Sequence, residues 1–240
     1  MNKIDELLAH TGNRQYELPK EKWKYFQQWH HTLLLHWQVP VPFLKENIPS
    51  GLQLDTFNNA GWVSIAAFEV KDMRLRNFPL LPYISNFQEI NLRTYVTRNG
   101  IPGIYLFSIE TNKLIEVLFS RLFIGLPYEK SKMKQLPYHI AAENKKRNNF
   151  LDILIWQKGN VIQKTALDFW LTERHALYEV KNKKIFRFDI HHKEWKLRKI
   201  DISITDIRYN FGKYKITVKP DKIQYAEKLD VVLWGRKIVS

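Results

Sequence analysis

NFQEINLRTYVTRNGIPGIYLFSIETNKLIEVLFSRLFIGLPYEKSKM, residues Asn86–Met133, is the stretch whose reading decides the fold. It reads as strand, Gly-containing turn, strand, short helix and a Gly-Leu-Pro-Tyr turn. Successive side chains of a strand point to opposite faces. From Phe87, one face therefore holds Glu89, Asn91, Arg93 and Tyr95, and the other holds Ile90, Leu92 and Val96. A carboxylate, an amide, a guanidinium and a phenol share a face. Glu89 and Arg93 lie about 13 Å apart along it, at about 3.3 Å per residue. Such a row either meets water or lines a polar cavity.

Outward from this block the punctuation is that of a β-rich chain. Strands are expected at 52–57, 62–70, 87–97, 103–109, 151–157, 168–180, 184–191, 197–204, 214–219 and 230–238. Asn58–Gly61, Arg98–Gly103, Lys158–Asn160 and Asn182–Lys183 read as turns. Residues 20–37 predict a helix, because Trp23, Phe26, Trp29, Leu33 and Trp37 approximate a helical period, and Pro40 and Pro42 would end it. A helical turn follows in the segment that begins at Phe43, and Thr111–Phe123 reads as a further helix. Lys145–Asn149 is the expected mobile loop. The fold expected is α+β: one domain over 1–240, mainly an antiparallel or mixed, barrel-like β-structure with a few helices.

Composition narrows the function classes. With 45% hydrophobic residues the chain has material for a proper core, and no apolar run approaches the roughly 18 residues of a transmembrane helix. The opening MNKIDELLAH has no apolar signal region, so a cytoplasmic protein is expected. The absence of cysteine excludes disulfides, thiol nucleophiles and Cys-ligated metals. Charge is lopsided. Residues 1–130 hold 14 basic and 12 acidic side chains, and residues 131–240 hold 24 and 12. A basic face can bind nucleic acid or another polyanion, but no zinc-finger spacing, RNP-like motif or helix-turn-helix pattern accompanies it.

FQEINLRTYV, NGIPGIYLFSI and SRLFIGLPY, together with LLLHWQVP (33–40), GLQLDTF (51–57), WVSIAAF (62–68), LTERHALY (171–178), HHKEW (191–195) and YAEKLDVVLW (225–234), resemble the YqjF-like family of uncharacterised bacterial proteins. The likeness covers most of the chain, in order. More distantly the chain resembles acetoacetate decarboxylases, in which an acidic strand, a turn, a short helix with Arg and a Gly-x-Pro-Lys-Lys turn follow one another. Gly125 and Pro127 match that turn and Arg121 the helix Arg, but Tyr128 and Glu129 stand where the two lysines would be. The resemblance implies that fold without its chemistry. Imine-forming decarboxylation needs a deprotonated amine, which acetoacetate decarboxylase obtains by setting a second cationic group beside its lysine. A phenol forms no imine, and a neighbouring carboxylate raises a lysine pKa.

Eight histidines raise a metal hypothesis that their spacing does not favour. On a helix His31 and His36 would diverge by about 140°. On a strand His191 and His192 point to opposite faces, His192 inward with Phe186, Phe188 and Ile190, and His191 outward with Arg187 and Asp189. Glu173 and Arg174 in LTER likewise split between faces, so only one of the two can enter the site. Asp55 is as well explained by a turn as by chemistry.

The expected site is one barrel pocket, with the positions of Arg121, Tyr128, His192 and Arg174 taken from the resemblance. Glu89 and Tyr128 would serve as acid or base, and Asn91, Arg93, Tyr95, Arg121, His192 and Arg174 would bind. Guanidinium groups suit a carboxylate or phosphate. The expected partner is a small organic acid, bound and open to transformation, with no cofactor and no metal. The alternatives are a nucleic-acid or polyanion module, and an interaction protein with an inactive inherited cavity. Since Tyr128 occupies the imine position, incubation with acetoacetate and borohydride leaves no covalent adduct in intact-mass spectra. An adduct on Lys130 or Lys132 would shift the register of the comparison.

Overall fold

The computed structural model describes residues 3–79, 85–113, 126, 128–136 and 138–239. Strands dominate: β1 (Tyr25–Val39), β2 (Gln53–Leu54), β3 (Gly61–Leu75), β4 (Phe87–Arg98), β5 (Ile101–Thr111), β6 (Glu129–Lys130), β7 (Lys132–Leu136), β8 (His139–Asn144), β9 (Asn149–Val161), β10 (Ala176–Lys181), β11 (Lys184–His192), β12 (Leu197–Phe211), β13 (Tyr214–Ile216), β14 (Lys222–Leu233) and β15 (Lys237–Ile238). The helices among the described residues are short: α1 (Lys3–Ala9), α2 (Val41–Asn47) and α3 (Ala166–Thr172). None is long and apolar enough to cross a membrane.

The strand pairings close on themselves. β1 pairs with β3, β3 with β4, β4 with β5, β5 in parallel with β10, β10 with β11, and β11 with β14, which returns to β1. The closing contact sets Ile190–His192 against Leu233–Val231. From β14 the sheet also runs on through β12, β9, β8 and β7. That extension folds over the outside of the ring. Leu33, Leu35, Trp37, Val63, Ile65, Ile90 and Leu92 point outward and pack on Ile140, Ile153, Ile155, Tyr209 and Phe211. The opposite parity points inward, where Leu34, Trp62, Ala66, Phe68, Tyr95, Ile104, Ile109, Ile190 and Val231 form a second core. Each fully buried Val, Leu, Ile or Phe contributes about 1.5–3 kcal/mol. The two faces of β1, β3 and β4 thus pack against different cores.

The structure corrects several of the sequence expectations. The expected helix 20–37 does not form: residues 25–37 are most of β1, whose pairing with β3 slips at Phe26/Gln28 and His30/Leu33. Bulges spoil the two-residue alternation, and burial of both faces leaves an apolar run that mimics a helical stripe. The expected strand 168–180 is split into α3 and β10, so Glu173 and Arg174 lie in the connection between them. Lys158–Asn160 belongs to β9 and not to a turn, and a β7–β8 hairpin is added to the expected strands. The 145–148 turn is tied down, because Arg147 pairs with Glu129 at 2.7 Å and Asn149 donates to Glu110 at 2.8 Å. His191 does not face solvent. Residues 7–16 cover it, with Leu7 O 2.8 Å from its Nε2 and Arg14 Nη1 3.3 Å from its Nδ1. The helix expected at Thr111–Phe123 falls mostly outside the described residues, and Thr111 itself ends β5.

Ring closure requires β5 and β10 to approach closely at Gly103. A Cβ there would lie 2.6 Å from the Ala176 carbonyl oxygen and 2.7 Å from the Tyr178 ring. Gly103→Ala is therefore expected to destabilise the protein by about 1–3 kcal/mol, read as a lower urea midpoint. An unchanged midpoint would mean that this strand pair does not set the closure.

Candidate functional site

Inward-facing positions of β4 carry the polar row, and all four residues are buried: Glu89, Asn91, Arg93 and Tyr95. Beside them on β3 stand Phe68 opposite Glu89, Ala66 opposite Asn91 and Ser64 opposite Arg93. On β5 they face Thr111, Ile109 and Leu106, an inward register restored by a bulge at Leu92/Arg93. Ala66 and Ser64 set small side chains beside Asn91 and Arg93.

At one end Glu89 is held from two sides. Asn91 Nδ2 donates to Oε1 at 3.0 Å, and the Tyr128 hydroxyl donates to Oε2 at 2.6 Å. Burial pushes the Glu89 carboxyl up to about 7, against the lowering effect of those two bonds and of Arg93. Burial and the nearby Glu89 charge push the Tyr128 phenol well above its ordinary range, so it remains a donor. The sequence-predicted pair Glu89 and Tyr128 is thus brought into direct contact.

Arg93, in contrast, finds no hydrogen-bond partner among the described residues, and no ion pair joins it to Glu89. Its Nε is buried and unpartnered, as are Trp62 Nε1 and Asn91 Oδ1 on neighbouring inward positions. Buried polar atoms in folded proteins are overwhelmingly paired, so two orphan donors and an orphan acceptor on one wall call for an explanation.

Beyond Arg93 the row ends at Tyr95, which heads a buried chain. Tyr95 Oη lies 2.7 Å from Ser64 Oγ, and Ser64 Oγ lies 2.6 Å from His36 Nδ1. His36 Nε2 is 2.9 Å from Gln224 Oε1, and Gln224 Nε2 donates to Asp168 Oδ1 at 2.6 Å. Burial, aided by Arg93, lowers the His36 imidazole to about 3. Burial alone would raise the Asp168 carboxyl, but bonds from Lys222, Thr165 and Gln224 bring it down to about 2. Trp170 of α3 packs on the Tyr95 ring at 4.5 Å, and Arg174 lies 4.3 Å over Trp170 while bonding Asp55 at 2.5 Å. Arg174, not Glu173, is thus the LTER residue that reaches the Tyr95 end.

Comparisons with known proteins give the family and the fold. The family model of DUF2071, described as an uncharacterized conserved protein, matches residues 26–230. The chain belongs to the DUF2071 family. Among curated relatives, the uncharacterized protein YqjF of Bacillus subtilis (strain 168) is 35% identical over 230 residues, covering 92% of this chain and 95% of that protein. Solved structures similar to this DUF2071 chain share its fold at low identity. The enduracididine biosynthesis enzyme MppR complexed with pyruvate aligns with a TM-score of 0.58 and 11% identity, over 94% of this chain and 93% of that one. Acetoacetate decarboxylase from Legionella pneumophila subsp. pneumophila str. Philadelphia 1 aligns with a TM-score of 0.58 and 10% identity, over 96% of each chain.

Of the remaining expected residues, Arg121 lies outside the described residues, as do Gly125 and Pro127. His192 is buried but its contacts are with a different group. It stacks on His175 at 4.5 Å, and its Nδ1 is 3.9 Å from Glu173 Oε2. Glu173, His175 and His192 offer ligand atoms within 4.8 Å of one another, a spacing that invites a metal. The carboxylate is already occupied, however. Lys164 is ion-paired to it, Asn13 Nδ2 donates at 2.8 Å, Thr172 Oγ1 at 3.0 Å and the Trp195 amide at 3.3 Å. This donor set describes a satisfied buried ion pair. Many basic residues of the second half are paired too, among them Arg147, Arg198, Arg208, Lys222 and Lys237.

Sequence reasoning missed His36, Ser64, Gln224 and Asp168 as a connected group. One signal was legible: Thr165-x-x-Asp168 is a capping box, with Asp168 N donating to Thr165 Oγ1 at 3.3 Å and Thr165 N donating to Asp168 Oδ2 at 2.8 Å.

The Glu89 environment sets a pH dependence. Its folded pKa lies above the unfolded carboxylate value, so its contribution to stability is fully present below about 4.5 and is lost as pH rises through about 7. Glu89→Gln removes that loss. The variant should gain about 2–3 kcal/mol relative to wild type between pH 4.5 and pH 8, measured by urea melts at both pH values. Parallel pH profiles would mean that Glu89 is solvated.

Proposed function

We propose that the interior of the strand ring is a binding site for a small organic acid, and that residues 1–240 act as one domain built around it. The ring draws on both ends of the chain, since β1 pairs along its length with β14. Arg93 holds the ligand carboxylate, aided by Trp62 Nε1–H. Asn91 Oδ1 accepts from the ligand, and Glu89 is the acid–base group at the far end. The observation that carries this reading is the set of orphaned buried atoms, Arg93 Nε, Trp62 Nε1 and Asn91 Oδ1, on adjoining inward positions of β3 and β4. A buried guanidinium without a partner is costly, and a carboxylate on it would supply two charge-assisted bonds.

Chemistry at the site would be proton transfer. A carboxyl near pKa 7 is close to evenly split between acid and base at neutral pH, the condition for general acid–base catalysis. The Tyr128 phenol orients that carboxyl, and its own proton points at Oε2. Imine chemistry has no amine on the inward row of β4. The likeness in fold to MppR, complexed with pyruvate, is in keeping with an acid ligand.

Removing the orphan separates stability from binding. Arg93→Met keeps the apolar stem and deletes the charge. It should raise the stability of the free protein by about 1 kcal/mol while weakening acid binding at least about tenfold. Thermal melts and calorimetric titrations with pyruvate, acetoacetate, lactate and 3-hydroxybutyrate check both. If Arg93→Met destabilises the protein and leaves affinity unchanged, the side chain is structural and the pocket reading fails.

A further inference from the structure

The hydrogen-bonded chain behind Tyr95 has one direction. It begins at an anion. Asp168 is ionised at neutral pH, so its oxygens only accept, and Oδ1 takes Lys222 Nζ at 2.8 Å and Gln224 Nε2 at 2.6 Å. That fixes the Gln224 amide with its NH2 on Asp168 and its Oε1 toward His36 Nε2, 2.9 Å away. An amide oxygen only accepts, so the His36 hydrogen sits on Nε2. A neutral imidazole protonated there has a bare Nδ1. Ser64 Oγ, 2.6 Å from Nδ1, must therefore donate to it. A hydroxyl has one proton. With that proton given to His36, Ser64 can only accept from Tyr95 Oη at 2.7 Å. The Tyr95 proton is thus committed to the chain, and its oxygen has only lone-pair capacity left for any other partner.

The geometry points to Tyr95 as a specificity-determining acceptor, and to a hydroxy acid as the ligand, with its carboxylate on Arg93 and its hydroxyl donating to Tyr95 Oη. This rests on the reading of the ring interior as an acid pocket and adds which acid it takes. Arg93 and Tyr95 are next neighbours on the inward face of β4, about 6.6 Å apart along the strand. Neighbouring inward positions let one small ligand reach both side chains. A keto acid would place an acceptor oxygen against an acceptor oxygen and leave the Tyr95 lone pair unmet. An amino acid would bring an ammonium close to the Arg93 guanidinium, which has no ion-pair partner among the described residues, and that repulsion favours the neutral hydroxyl.

The test compares matched pairs, lactate against pyruvate and 3-hydroxybutyrate against acetoacetate, by calorimetry on wild type, Ser64→Ala and Tyr95→Phe, with melting curves to establish that each variant is folded. Wild type should bind the hydroxy member of at least one pair about tenfold or more tightly than its keto partner, the loss expected from one mismatched buried hydrogen bond. Ser64→Ala frees the phenol proton to turn toward the ligand, so the ratio should fall toward one through tighter keto-acid binding. Tyr95→Phe should bring the ratio to one through weaker hydroxy-acid binding. Equal wild-type affinities within both pairs, or a ratio unmoved by Ser64→Ala, overturn the hydroxy-acid inference while leaving the acid pocket standing. No binding of any of the four acids overturns the pocket itself and this inference with it.

Discussion

Charge carried into a closed ring is the constraint on which the rest of this structure depends. Closure through Ile190–His192 and Leu233–Val231 leaves β4 without a solvent face. Glu89, Asn91, Arg93 and Tyr95 must therefore find their partners inside the protein, where an unpaired polar group is costly. The protein answers differently at each position. Glu89 is met by Asn91 and Tyr128 and shifts its pKa; Tyr95 is tied through Ser64 and His36 to an ionised Asp168. Arg93 is left open. Trp62 Nε1 and Asn91 Oδ1 beside it also lack partners among the described residues, so the polar row is paired at its two ends and open in its middle.

The surrounding architecture serves that arrangement. Outward faces of β1, β3 and β4 are sealed by the β12–β9–β8–β7 extension, so the ring wall is packed on both sides. Trp170 and Arg174, held by the Asp55 carboxylate, close the Tyr95 end. A separate histidine-rich group around Glu173 is ion-paired to Lys164 and covered by residues 7–16, which accounts for the burial of His191 and His192. Tyr128 fits the same logic. A phenol beside a buried carboxyl is a stable donor, whereas an amine there would be held protonated by the carboxylate.

Much of this was legible in the sequence. From Glu89 to Arg93 the sequence alternates polar and apolar residues, and such alternation on a central strand can be read without the fold. That placed Glu89, Asn91, Arg93 and Tyr95 on one face. What the sequence could not supply was whether that face meets water, which depends on strand pairings between distant segments. The same limit hid Ser64, His36 and Gln224, whose side chains meet only once β1, β3 and β14 are assembled. Residues 20–37 misled for a physical reason: bulged, doubly buried β1 loses its two-residue period, and its large apolar residues then fall near helical spacing. The connection at Glu173 and Arg174 misled because Phe169 and Trp170 favour strands and run almost directly into β10. Against them stood only the capping box at Thr165, which opens α3.

Direct observation of the Glu89 carboxyl tests the central claim. In a carbon-13 NMR titration of glutamate-labelled protein, with the Glu89 signal identified by its loss in Glu89→Gln, the resonance should titrate with a midpoint of about 7. Saturation with an acid ligand on Arg93 should move that midpoint upward, because a second negative charge disfavours ionisation of the first. A midpoint in the ordinary carboxylate range, unmoved by any acid, would mean that the polar row of β4 faces water and that the ring encloses no such site.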